Sequence, residues 1–289
     1  MFKNFKSIKI KTSEAIINTK IGGSGPPVLL MHGYPQTHFM WHKIAPILSN
    51  KFTVVLTDLR GYGDSSKPKS DHTHIAYSKK KMALDQIEVM RELGFEKFYA
   101  VGHDRGARVL HRMLIDNKES IKKAVFMDIV PTLTMYNKTD KNFAYNYYHW
   151  FFLTQPYDFP ERLIGNNPEY YLRKKIKAWG KNKNFIPKKV FDEYFRCFSN
   201  KDTIHASCED YRASFSIDLK HDENDYGQKI KIPIFVMWGY DGFVGSTYNV
   251  INEWMKYAEN VYGKGLPCGH YIPEESPEET IKCLFDFLT

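Results

Sequence analysis

Val101-Gly102-His103-Asp104-Arg105-Gly106-Ala107-Arg108 is the stretch whose reading decides the fold. The apolar run Phe98-Tyr99-Ala100-Val101 leads into it, and a helical pattern follows. Glycine stands two residues before and two residues after Asp104. That spacing marks a sharp strand–turn–helix bend whose flanks leave no room for a larger side chain. The residue at such a bend is presented at the carboxyl edge of a sheet, where open α/β sheets bind their ligands. Taken alone, Asp104 also suits an ordinary helix-capping loop. The rest of the chain has to decide.

Working outward, short apolar runs alternate with helical patterns. Pro27 to Met31 ends at His32-Gly33, and Phe52 to Asp58 ends before a glycine-rich turn. Ala124 to Asp128 and Ile232 to Trp238 are two further runs. Runs that are apolar at nearly every position suit strands buried on both faces. From Ser78 onward Ala83, Ile87 and Met90 recur at helical spacing, up to a helix-ending Gly94. The alternation predicts an α/β fold with a mostly parallel central sheet flanked by helices. Between 136 and 226 the texture changes to crowded aromatics and lysine-rich helical patterns. We expect a core of residues 1–135 and 227–289, with an inserted helical cap over 136–226.

Composition excludes several classes. With 43% hydrophobic and 26% charged residues the chain is neither disordered nor fibrous. Its 289 residues suit one core carrying an insertion. The net charge of +8 comes with no nucleic-acid motif, so it reads as a lysine-rich surface that also favours anionic ligands. Four cysteines without a Cys-x-x-Cys pair argue against a disulfide scaffold or a zinc site. Met1 to Lys6 has no apolar run of the signal-peptide kind, and no stretch is apolar enough to span a membrane. A cytoplasmic protein that binds neither nucleic acid nor membrane is the expectation.

Three other segments fall where chemistry at Asp104 needs them. His32-Gly33-Tyr34-Pro35 follows the first run, Asp58 to Ser65 follows the second, and Gly269-His270 lies near the C-terminus. In this order the four motifs resemble the α/β-hydrolase fold over nearly the whole chain. A carboxylate nucleophile needs no base for its attack and can displace a leaving group from saturated carbon. His270 then activates water against the resulting ester, while the backbone N–H groups of Tyr34 and Arg105 hold the oxyanion. For the acid that orients His270, many members use a G-x-x-D turn. Here that turn reads Gly239-Tyr240-Asp241-Gly242, with Asp241 one residue early. Asp128, at the end of a strand, is the better candidate.

Arg105 and Arg108 lie three apart, on one face of the first helical turn. Cations there oppose the helix dipole. They either pair with Asp64 or another surface acid, or clamp a carboxylate substrate, for which guanidinium geometry is suited. With Asp128, His149-Trp150 and Asp210-Tyr211-Arg212-Ala213, this pattern resembles the fluoroacetate dehalogenases. The stretches His32 to Gln36 and Asp58 to Pro68 agree. The resemblance implies halide binding by His149, Trp150 and Tyr211, a small anionic 2-haloacid substrate, no metal or organic cofactor, and a homodimer. Trp179 resembles a cap tryptophan of that family without an assigned role. The rival is an epoxide hydrolase on the same Asp–His–Asp engine, using Tyr211 with Tyr147 or Tyr148 as acids. A non-catalytic receptor of the same fold is disfavoured by the intact Asp104, His270 and Asp128.

Overall fold

The computed structural model describes residues 1–181 and 184–289. Among these residues one sheet runs in the order β1-β2-β4-β3-β5-β6-β7-β8. The strands are β1 (Lys6–Lys11), β2 (Ile16–Gly22), β3 (Pro27–Met31), β4 (Thr53–Thr57), β5 (Phe98–His103), β6 (Ile121–Met127), β7 (Ile234–Gly239) and β8 (Val261–Leu266). β1 pairs antiparallel with β2, and β2 with β4. All later pairings are parallel. The five runs read from the sequence are the five central strands. Their side chains are buried on both faces, from Val28 to Met31 and from Ala124 to Met127. Leu29, Ala100, Ala124 and Ile234 align across four of them.

Helix α1 (Lys79–Glu92) starts at Ser78, whose hydroxyl accepts from the Lys81 N–H, and Gly94 beyond its end adopts φ +82°. Helix α2 (Arg105–Asp116) packs its apolar face on the sheet beside α1. Between β6 and β7 the described residues from 132 to 224 form a series of helices and their connections. The first of them, α3 (Thr132–Asn137), straddles the boundary expected at 135–136. The aromatic crowding that suggests that boundary begins at Tyr136, one helical turn into α3 and nine residues after β6 ends. Those used below are α4 (His149–Phe152), α5 (Pro168–Trp179), α6 (Lys188–Phe198) and α7 (Lys201–Phe215). Helix α8 (Ile272–Glu275) follows the last strand. No helix among the described residues is long and apolar enough to cross a membrane.

Parallel strands deliver their ends to one edge. β3 leads into Tyr34, β5 into Asp104, β6 into Asp128, and β8 into the loop that carries His270.

Candidate active site

Asp104 occupies the bend between β5 and α2 with φ +48° and ψ −115°. A non-glycine residue there is strained, at a cost of about 1–3 kcal/mol. The bend persists because its flanks are packed to backbone distance. A Cβ on Gly106 would stand 2.4 Å from the His32 carbonyl, and one on Gly102 2.6 Å from Ala107 Cα. The turn aims the Asp104 carboxylate at the loop after β3, where the Tyr34 N–H donates to Oδ1 at 2.8 Å. Arg105 is the first residue of α2, so its N–H has no intrahelical partner.

The other carboxylate oxygen, Oδ2, faces His270 Nε2 at 3.8 Å. His270 Nδ1 donates to Asp128 Oδ2 at 2.6 Å, and the Gly239 N–H holds Asp128 Oδ1 at 3.0 Å. His270 Nε2 is buried and makes no hydrogen bond. Burial alone would lower the His270 pKa, but Asp128 and then Asp104 raise it above the ordinary value. Burial would likewise raise Asp104. The charge of His270, with those of Arg105 and Arg108, outweighs it and holds the carboxyl below its usual range. Asp241 is turned outward to Lys181, 2.5 Å away. A Cβ on Gly242 would lie 3.6 Å from Asp128 Oδ2, so an acid at 242 would point into the space that Asp128 fills.

The two arginines meet different partners. Arg105 donates through Nε to Asp210 Oδ2 at 2.9 Å, and through Nη2 to Asp210 Oδ1 at 2.6 Å and Ser214 at 2.8 Å. Lys79 and the Tyr62 hydroxyl also bind Asp210. The acid that pairs with Arg105 is therefore buried Asp210 on α7; Asp64 pairs with Arg196. Arg108 donates to the Val130 carbonyl at 3.2 Å and to the Thr132 hydroxyl at 2.9 Å, and lies 4.7 Å over the Trp150 ring. No carboxylate of the described residues lies within 4.0 Å of it. One donor of each guanidinium, Arg105 Nη1 and Arg108 Nε, is buried without a partner.

Aromatic side chains of the insertion face these groups. The His149 ring stacks parallel to Tyr34 at 6.2 Å, and Tyr211 stands edge-on to Tyr34 at 5.3 Å and to His149 at 5.5 Å. Trp150 lies 6.3 Å from Tyr211. Burial, then Lys175 and Arg105, pushes His149 well below its ordinary pKa and keeps it neutral. Burial raises the Tyr211 phenol well above its usual range, so it stays a donor, and its hydroxyl makes no hydrogen bond. The predicted residues thus converge on one buried locus, and a cavity of 580 Å³ opens from His270 past Tyr147 and Trp179.

A family model described as the alpha/beta hydrolase fold matches residues 26–277. The chain belongs to that family. It is 40% identical to a fluoroacetate dehalogenase of Burkholderia sp., over 100% of this chain and 95% of that one. It is 32% identical to a soluble epoxide hydrolase of a Corynebacterium species, over 92% and 91% of the two chains. A crystal structure from Nostoc sp PCC 7120, named a candidate alpha/beta hydrolase, superposes with a TM-score of 0.99 at 57% identity. That likeness covers 100% of this chain and 99% of that one.

In this hydrolase three supporting residues escaped the sequence reading. His103 Nε2 donates to the His270 carbonyl at 2.8 Å and so anchors the histidine loop to the elbow. Burial, then His270, lowers the His103 pKa to about 3, so the ring is a neutral strut. Its adjacency to Asp104 was visible, but not that it reaches a loop 167 residues away. Asp210 stands in the sequence only as the first residue of the stretch Asp210 to Ala213. Lys175 sat in a lysine-rich stretch that looked like a solvated face, yet it is 2% exposed. Its spacing to Tyr171 and Trp179, four residues either way, was the available signal.

Proposed function

We propose that this alpha/beta hydrolase cleaves the carbon–halogen bond of small 2-haloacids such as fluoroacetate and chloroacetate, giving the 2-hydroxy acid and halide. The observation that carries the reading is the pair of buried, unpartnered guanidinium donors, Arg105 Nη1 and Arg108 Nε, on the helix turn that begins at Asp104. Buried donors left unpaired are costly unless a ligand completes them. Two of them, on cations, suit a carboxylate. They would also hold an anionic substrate against an anionic nucleophile that otherwise repels it.

In this scheme Asp104 Oδ2 attacks the halogen-bearing carbon and the carbon–halogen bond breaks. Neutral donors from His149, Trp150 and Tyr211 stabilise the leaving halide, which fluoride needs most as a strong acceptor and poor leaving group. Asp104 is now an ester whose carbonyl oxygen, Oδ1, sits on the Tyr34 N–H. His270, with its proton on Nδ1 held by Asp128, takes a proton from water at Nε2. The hydroxide adds to Asp104 Cγ, and the N–H groups of Tyr34 and Arg105 hold the oxyanion. Collapse breaks the Cγ–O ester bond. His270 returns its proton to the departing alkoxide oxygen, and the proton of the added hydroxyl leaves the Asp104 carboxyl for solvent, balancing the charge of the released halide. On this reading residues 136–226 act as the cap that closes the site, and the protein is a cytoplasmic homodimer.

The epoxide reading is supported by a specific feature. Tyr211 has an unpartnered hydroxyl, and Tyr147 is buried near both Asp128 and Asp104, so the two could act as paired acids. Halide release from fluoroacetate, chloroacetate and a neutral haloalkane, run beside hydrolysis of a neutral epoxide, decides between them. Release from the two acids alone is expected. Asp104→Asn should abolish it, and His270→Asn should trap an ester on Asp104 detectable by mass spectrometry. Turnover of the epoxide without halide release would replace the reading.

A further inference from the structure

Helix α5 carries Tyr171, Lys175 and Trp179 at four-residue steps, and therefore in one stripe. One end of the stripe meets the oxyanion loop, where the Tyr34 hydroxyl donates to Tyr171 at 3.0 Å. The other end meets the triad, with the Trp179 ring 5.4 Å from His270 and 4.6 Å from His149. Between them Lys175 Nζ lies 3.7 Å from the centre of the Tyr148 ring, 5.0 Å from that of Trp179 and 5.7 Å from that of Tyr171. Among the described residues it has no hydrogen-bond acceptor and no carboxylate within 4.0 Å. The lysine lines the cavity that reaches His270.

A buried ammonium is expensive without a counter-charge, and aromatic faces repay only part of that cost. The structural explanation usual for a buried lysine, a carboxylate partner, does not apply here. Burial pushes Lys175 down to about 7, with no neighbouring charge or hydrogen bond acting against it. An anion arriving in the cavity would supply what the fold withholds. Among the cations, Lys175 has the largest effect on the His149 ring, ahead of Arg105 and Arg108.

We propose that Lys175 and the rings of Tyr148, Tyr171 and Trp179 form a second, outer site for monovalent anions, on the wall of the cavity that reaches His270. It receives the substrate carboxylate on entry or the halide on exit, which share one chemistry, a small singly charged anion. For the identity of those anions the proposal rests on the haloacid reading above. The site is distinct from the Arg105–Arg108 pair because Lys175 faces Tyr148, Tyr171 and Trp179, whereas the arginines face Tyr211, Trp150 and the charge of Asp104.

The test compares Lys175→Met, Lys175→Arg and Lys177→Met. The last removes the same charge from an exposed position on the same helix. Halide release is measured with chloroacetate and with neutral chloroacetamide, and bromide binding is titrated by tryptophan fluorescence without substrate. A charge-assisted contact implies about a tenfold or larger effect. Lys175→Met should raise KM for chloroacetate and weaken bromide binding by that factor, with kcat for chloroacetate and both constants for chloroacetamide within about twofold of wild type. Lys175→Arg should recover most of the loss, and Lys177→Met should show none. A shift confined to KM identifies the carboxylate as the occupant, and one confined to bromide identifies the halide. Equal losses for both substrates, or unchanged KM and bromide binding together, would overturn the outer site. If the wild type releases no halide while bromide binding still depends on Lys175, the haloacid reading fails and the anion site stands. If halide is released and Lys175→Met behaves as wild type in both assays, the reverse holds.

Discussion

Arg105 and Arg108 leave the same turn of α2 and enter opposite surroundings. Arg105 is held by a buried carboxylate through two of its nitrogens, and that carboxylate also takes Lys79 from α1 and Tyr62 from the loop after β4. Arg108 has two neutral oxygens, a methionine sulfur and the face of Trp150. The charges differ in the same way. Burial would lower both; Asp210 reverses this for Arg105, which rises well above its ordinary value. Nothing reverses it for Arg108, which falls, with Arg105 adding to the effect of burial. One arginine is therefore part of the frame with a donor to spare, and the other is a cation held in readiness. Sequence spacing made them look equivalent; only their partners separate them.

The largest consequence concerns the frame. Asp210→Asn removes the charge that compensates Arg105 and Lys79 together, and breaking a buried pair in this way costs about 3–5 kcal/mol. Chemical denaturation should show a loss of that size, while halide release falls because the insertion is no longer tied to α2. An Asp210→Asn variant as stable as the wild type would mean that Arg105 is not part of the frame, and the contrast would collapse.

Arg108→Met probes the other side. No ion pair is lost, and a cation is removed from a helix N-terminus, so the unfolding midpoint should stay or rise slightly. Catalytic efficiency on haloacetates should fall about ten- to hundredfold, from the loss of charge-assisted hydrogen bonds. Chloroacetamide should gain relative to chloroacetate. Equal loss on both substrates, or early unfolding, would make Arg108 a second frame residue and strengthen the epoxide alternative.

The pH profile sharpens the same point. Asp104 is held below the usual carboxylate range, so it stays ionised across the working range. His270 must be neutral to activate water, and its pKa lies above the ordinary value of about 6.5. Activity should therefore decline as the pH falls through the raised His270 value. Asp128→Asn removes the main cause of that rise and should move the decline to lower pH, with most of the rate lost. In Arg108→Met the decline should not move. A new acid limb in that variant would show that the Arg108 charge serves Asp104 rather than a ligand.

How far the sequence could be read follows the same division. The central strands were legible because burial on both faces leaves an unbroken apolar run, and the elbow because only glycine fits its flanks. Strand β1 was not read, although Ile8 and Ile10 alternate with lysines, because only Ile10 of the two is fully buried. Strand β8 offers little pattern, since Gly263 and Gly265 stand where side chains would collide with Val236 and Tyr240. That Asp104, Asp128 and His270 meet at one sheet edge was legible from chain order and turn geometry. The partnership of Arg105 with Asp210 spans 105 residues and joins two helices, so no local pattern encodes it. The seclusion of Lys175 was hidden for a related reason. A lysine among lysines looks solvated until the helix is placed and three aromatic rings close round it.

The smallest effect is expected where a side chain is already spoken for at the surface. Asp241 sits one residue from the place where many relatives keep their acid, and a sequence reader has to choose between it and Asp128. The structure turns it to Lys181, with both side chains nearly half exposed. An exposed pair of this kind is screened by water and salt. Asp241→Asn should therefore leave kcat/KM for chloroacetate within about twofold and the pH profile in place. Asp128→Asn alone should be nearly inactive, whereas adding Gly242→Asp would put a carboxylate into the space beside His270 and recover part of the rate. Recovery by the double variant with Asp241→Asn silent would show that the space matters more than the strand that supplies the acid. A large loss in Asp241→Asn would show that its exposed pairing is not its role, and that the turn from Gly239 to Gly242 feeds the triad after all.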